Sequence, residues 1–191
     1  MPKLYLATEP AADKLLAKEP LALLIGMLLD QQVPLEKAFM GPYDLRQRLG
    51  HDLDARELAD YDTDALIAIF AQRPALHRFP KAMAVRVQEL CRLIAERYDG
   101  DASRVWTEAK TGAELARRVG ELPGFGKQKA QIFVALLAKQ FRVRPEGWRE
   151  AAGIFGEDGS YRSVADITDA DSLVKVRGYK QQMKAATKAG G

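Results

Sequence analysis

The chain has 191 residues, 47% of them hydrophobic and 29% charged, enough for one substantial core and too apolar for a disordered segment. Its net charge of +3 hides an asymmetry: residues 1–70 carry seven Lys/Arg against twelve Asp/Glu, residues 126–149 carry six against Glu146 alone, and residues 171–191 carry five against Asp171 alone. A basic face that meets phosphates, or a solvated charged surface, accounts for that pattern; a bilayer span of roughly 20 apolar residues is excluded, and a single cysteine excludes an internal disulfide and a four-thiolate iron–sulfur cluster.

The opening MPKLYLATEPAAD meets acids at Glu9 and Asp13 and lacks the apolar stretch of a signal peptide, so a soluble, cytoplasmic protein is expected. LYLA is the only candidate strand. Pro20 leads into LALLIGMLLDQQ, an almost wholly apolar run that predicts a helix buried on most sides. Pro34 opens a short helix through LEKAFM, Gly41-Pro42 reads as punctuation, and YDLRQRLG predicts a further short helix ending at Gly50. Asp62-Thr63-Asp64 supplies capping oxygens for ALIAIFAQ, which stops before Arg73-Pro74. The longest helix is predicted over about 81–98, with Met83, Val87, Leu90 and Ile94 on its inner stripe. Cys91 falls on that stripe and reads as a core thiol. Thr111 caps GAELARRV, which Gly120 closes. Beyond Trp148 come short, Gly-interrupted pieces and then a basic helix around 179–188. The chain predicts an all-α fold.

The most informative segment is GAELARRVGELPGFGKQKAQIFVALLAKQF. One amphipathic helix ends, LPGFG turns, and a second helix starts with no spacer. Pro123 fixes one backbone angle, while Gly124 and Gly126 permit turns and close approaches that a side chain would obstruct. The second helix therefore offers free N–H groups and the positive end of its dipole beside a bare glycine bend, where a phosphate can approach. Lys127 and Lys129 add charge, and no base edge is read, so the contact would be independent of sequence. An ordinary helix–turn–helix joint is the plain alternative.

LPGFGKQKA, with Ala130 and its apolar continuation, resembles the hairpin of the helix-hairpin-helix, Gly-Pro-Asp DNA glycosylase superfamily. LLIGMLLDQQVPLEKAF resembles that superfamily's early buried helix, and FPKAMAVRVQELCRLIAERYDG resembles its long helix before the hairpin. The three segments fall in the expected order over about 20–141, and the whole resembles a small bacterial endonuclease III-like branch without the iron–sulfur cluster. The resemblance implies a two-lobed helical fold with a central cleft. It divides a single unit over 1–191 into a first lobe at about 20–110, a hairpin lobe at about 111–141 and a basic C-terminal extension at about 142–191.

The resemblance also implies function: a monomeric, nucleoid-associated base-excision repair protein that flips a damaged or mispaired base out of double-stranded DNA. The hairpin residues Pro123, Gly124, Phe125, Gly126, Lys127 and Lys129 would grip the backbone, and Gln31 or Gln32 would fill the vacated stack. The backbone carbonyls of Gly120, Leu122 and Phe125 resemble the family's site for a monovalent cation, the sole cofactor implied. The family places its catalytic aspartate a little beyond the hairpin, in a Val-Asp-Thr-His type run. Here that stretch reads FRVRPEGWREAAG, in which Glu146 is the acid at about the right place; its plain reading is a surface residue paired with Arg144 or Arg149. Asp30, interrupting the apolar helix just before Gln31, is the second candidate carboxylate, or else a helix-end cap. The family's lyase lysine is replaced by Gln128, so strand cleavage is not expected. Three readings follow: a monofunctional glycosylase, a non-catalytic DNA-binding protein on the same scaffold, and a helical protein-interaction module.

Overall fold

A computed structural model describes residues 1–190. Eleven α-helices run as α1 (Pro10–Lys18), α2 (Pro20–Leu29), α3 (Leu35–Leu49), α4 (Ala55–Asp60), α5 (Thr63–Ala71), α6 (Pro80–Arg97), α7 (Arg104–Thr107), α8 (Gly112–Gly120), α9 (Lys127–Gln140), α10 (Trp148–Ala152) and α11 (Ala170–Ala189), with two short 3₁₀ turns between α10 and α11. The fold is all-α. Among the described residues there is no strand, only an isolated bridge between Thr111 and Glu146.

Helix α2 is the axis of the first half. All nine residues from Leu21 to Leu29 are buried, as an apolar run without a polar face requires. It packs on α3 and α1, while α4 and α5 pack on α6. Capping follows the local chemistry: Asp62 accepts from Ala65 N–H at 2.9 Å and Thr111 from Glu114 N–H at 3.1 Å, starting α5 and α8. The stripe Met83, Val87, Leu90, Cys91 and Ile94 is buried in α6, and burial pushes the Cys91 thiol up to about 12. The second half builds α8, α9 and α10 against one another.

Two local expectations are corrected. Gly41-Pro42 does not divide α3, which runs unbroken from Leu35 to Leu49. A Cβ at Gly41 would lie 2.4 Å from Leu29 Cδ1, so the bare residue lets α3 lie close on α2, and this contact outweighs the one helical hydrogen bond that Pro42 cannot make. LYLA is not a strand. The N–H groups of Leu6 and Ala7 donate to Asp13 Oδ1 at 2.9 and 2.8 Å, and a buried carboxylate takes the part of a neighbouring strand.

The chain after α9 is anchored. Lys139 Nζ donates to Asp166 Oδ1 at 2.6 Å and to Glu157 O at 2.6 Å, and Gln140 Nε2 donates to the carbonyls of Val164, Ala165 and Ile167. Leu173 and Val176 then bury the first turns of α11.

Candidate nucleic-acid interface

The bend between α8 and α9 is open to solvent. Gly124, Gly126, Lys127 and Gln128 are exposed, whereas Leu122 and Phe125 turn inward. Phe125 packs edge-on against Phe133, with ring centroids 6.2 Å apart. Gly124 has φ +82°, a backbone that favours glycine, and a Cβ there would come 3.2 Å from Leu28 Cγ. A Cβ at Gly126 would meet nothing within 4 Å, so that face is free for an approaching group. Gly126 caps α9 without a side-chain partner, and no acid stands in the first turn of α9. The one acid of the bend, Glu121, is paired with Arg97 at 3.1 Å and Arg117 at 3.3 Å.

The glutamine turn after α2 lies against this bend. Arg86, on α6, links the two: its Cδ lies 4.0 Å from the Cβ position of Gly124, and its Nη1 donates to Gln31 Oε1 at 3.3 Å. Gln31 is further tied down, because its Nε2 donates to Leu28 O at 2.9 Å. Gln32 differs. It is exposed and sits at φ +56°, an uncommon conformation for a residue with a Cβ. Strain of that kind gathers where surrounding structure dictates the backbone. The turn is held just before Gln32 by His77, a buried ring whose Nε2–H points at Leu29 O and Gln31 O, both 3.0 Å away, while Nδ1 accepts from Phe79 N–H at 3.0 Å. Those partners assign the neutral Nε2–H tautomer.

The two expected hairpin lysines have different surroundings. Lys127 is exposed at the first position of α9. Lys129 is half-buried and turns toward α2, donating to Met27 O at 2.8 Å and Asp30 O at 3.3 Å. It lies 5.8 Å from the Phe125 ring centroid. Burial lowers its pKa against the opposing pull of Asp30, with Lys180 and Arg86 adding to the depression. Lys129 thus caps the C-terminal carbonyls of α2 and pins the glutamine turn to the hairpin helix.

Asp30 lies in the same place. It is partly buried, and desolvation raises its pKa despite Lys180 and Lys129 nearby. Glu146 does not join it. Its carbonyl accepts from Gly112 N–H at 2.7 Å, which sets Glu146 beside the first residue of α8, about 12 Å along that helix from the bend. Its expected partners are engaged elsewhere: Arg144 Nε donates to Ala138 O, and Arg149 reaches Gly156 O and Asp158. Of the three carbonyls expected to hold a cation, Leu122 O accepts from Phe125 N–H at 3.0 Å, which leaves it one lone pair.

Sequence reading missed His77, Arg86, Phe79 and Lys180. Phe79 is a 40% exposed aromatic on the surface next to the turn, with the Arg78 guanidinium 5.2 Å from its ring centroid. Its position just before Pro80 at the start of α6 was the available signal. Comparison with protein-family models and with curated proteins finds no match to this chain.

Proposed function

We propose that this is a DNA-binding base-excision repair protein of the helix-hairpin-helix glycosylase type, with the bend, the glutamine turn and the start of α6 as one face of its cleft between two helical lobes. The observation that carries the reading is the joining of an exposed glycine bend, through Arg86 to Gln31 and through Lys129 to the end of α2, to the turn that presents the exposed, strained Gln32. Phosphates approach the bare N-terminus of α9 and Lys127, a monovalent cation on the Gly120, Leu122 and Phe125 carbonyls shields one of them, and Gln32 enters the stack vacated by a flipped base. Gln31, held at both ends of its amide, supports the turn.

The chemistry proposed is hydrolysis of the N-glycosidic bond by a monofunctional glycosylase. Water attacks the sugar carbon, the carbon–nitrogen bond breaks with its electron pair leaving on the base, and Asp30 takes a proton from the water. The raised pKa of Asp30 suits a base working nearer neutrality than an ordinary aspartate. Glu146, at the far end of α8, is left out of this step. The test measures free-base release from duplexes carrying alkylated, deaminated, oxidised or mispaired bases. Release that disappears in Asp30→Asn, with DNA affinity kept, supports the reading; no release from any substrate overturns catalysis.

One observation favours a second reading, a non-catalytic lesion sensor. Lys129 and Lys180 flank Asp30 and compensate its charge, as suits a structural carboxylate. Preferential binding of distorted over regular duplexes without base release is its signature, and Gly126→Glu should weaken binding in either case.

A further inference from the structure

Helix α11 divides into two unlike halves. Up to Lys180 it is tied to the body: Leu173 and Val176 are buried, Arg177 is paired with Glu36 of α3, and Lys180 lies close enough to Asp30 to act on its charge. From Gln181 to Gly190 every residue is exposed. Nothing lies within 4 Å of a Cβ built at Gly178, where the change occurs. The projecting half is QQMKAATKA, composed largely of strong helix formers, so it keeps its helix without tertiary support.

Its charges are ordered. Arg177, Lys180, Lys184 and Lys188 are spaced three, four and four residues apart, which at about 100° per residue puts them within a stripe roughly 80° wide. No acid occurs after Asp171. The stripe begins at Glu36 and Asp30, beside the glutamine turn, and runs about 16 Å outward along the helix axis. The opposite face carries Tyr179, Gln182 and Ala186, and Met183 is the one large exposed apolar side chain of the projecting half. That is too little apolar surface for a helix that beds into lipid, whereas a row of cations without acids complements a phosphate backbone.

We infer that the projecting half of α11 is a second, sequence-independent contact with duplex DNA, laying Lys184 and Lys188 along the backbone that flanks the site engaged by the α8–α9 bend. This rests on the DNA-binding reading above. Its reach corresponds to about five base pairs at 3.4 Å each, so the contact requires a duplex that extends past the lesion. The occupant is the phosphate backbone alone, since Arg177 is engaged by Glu36 and the projecting Lys184 and Lys188 offer charge without the planar forks that read base edges.

The experiment compares wild type, the double variant Lys184→Glu/Lys188→Glu and Lys127→Glu by fluorescence anisotropy, on short and long duplexes over a salt series. Both altered α11 positions are exposed, and equal thermal melts will establish that the variants are folded. Loss of two phosphate contacts should reduce the slope of log affinity against log salt by about two. It should also remove the affinity gained on lengthening the duplex. A double variant with the slope and length dependence of wild type, while Lys127→Glu binds more weakly, overturns the α11 contact and leaves the bend as the DNA site. A loss confined to the α11 variant supports the contact and removes the bend from the interface. Wild type that binds no duplex at low salt overturns both, and tighter binding to phosphatidylglycerol vesicles than to duplex replaces DNA by a membrane surface.

Discussion

Lys127 and Lys129 are two residues apart on one helix, and the structure gives them opposite tasks. A helix turns about 200° over two residues, so when Ala130, Phe133 and Val134 are buried, one lysine faces solvent and the other faces α2. Lys129 satisfies two carbonyls at the end of α2, next to the Asp30 carboxylate. Replacing it with Met keeps much of the stem volume but takes the donor from those carbonyls and leaves Lys180 as the remaining cation beside Asp30. A loss of about 1–3 kcal/mol is expected from the unsatisfied groups, read as a lower urea midpoint at neutral pH. Lys127→Met should leave that midpoint within about 0.5 kcal/mol of wild type and weaken duplex binding. Equal midpoints for the two variants would return Lys129 to the surface role that its neighbour has.

The glutamine turn is where an element depends on one buried ring. His77 is held neutral: burial lowers its pKa beyond what the bonds to Leu29 and Gln31 restore, and nearby Lys37 and Lys129 push the same way. The Phe79 N–H that donates to Nδ1 has no place once that nitrogen is protonated. Because the folded pKa lies below the unfolded value of about 6.5, the ring's stabilising contribution is present above that value and is lost as pH falls through the folded one. Urea midpoints should therefore fall as the pH is lowered below about 6.5. His77→Gln, which cannot titrate, should start lower at pH 7 and flatten the decline. An unchanged acid slope in that variant would place the titration elsewhere.

Much of this arrangement was legible at the level of elements and little of it at the level of direction. Pro123, Gly124 and Gly126 announce a bend because their backbone preferences are local, and Asp62 and Thr111 announce helix starts for the same reason. The burial of α2 follows from composition alone. What the chain does not write locally is which way a polar residue on a mixed face turns. Lys129 sits in a basic run that reads as surface, and its inward turn depends on the end of a helix about one hundred residues earlier. Glu146 has a suitable distance in sequence from the hairpin, but the chain passes the start of α8, not its end. The choice between Gln31 and Gln32 required the amide partners of Gln31 and the φ of Gln32. Gly41-Pro42 carries two breaker residues, yet tertiary contact with Leu29 keeps the helix whole.

At the scale of the molecule, the position of α11 over the glutamine turn depends on how the segment between α10 and α11 is moored to α9. The mooring is a buried ion pair, Lys139 with Asp166, whose side chains are 14% and 5% exposed. Asp166 also accepts from Ser160 Oγ at 3.1 Å and Arg162 N–H at 2.9 Å, so one carboxylate gathers the 160–166 loop, and Lys139 fastens it. A buried pair of this kind need not add net stability over an apolar pair, but removing one partner strands the other. Lys139→Met should therefore cost about 3–5 kcal/mol by chemical denaturation, far more than a surface charge change. Lys139→Met/Asp166→Leu, which removes both charges, should recover a large part of that loss, because neither group is then buried alone. Hydrogen exchange would show where the strain is felt: the Leu173–Val176 turns of α11 should open faster in the single variant and return toward wild type in the double, while the α4–α6 group, whose helices pack chiefly on one another, keeps its protection. Faster exchange spread evenly over all helices would mean that the pair stabilises the whole fold and does not specifically seat α11.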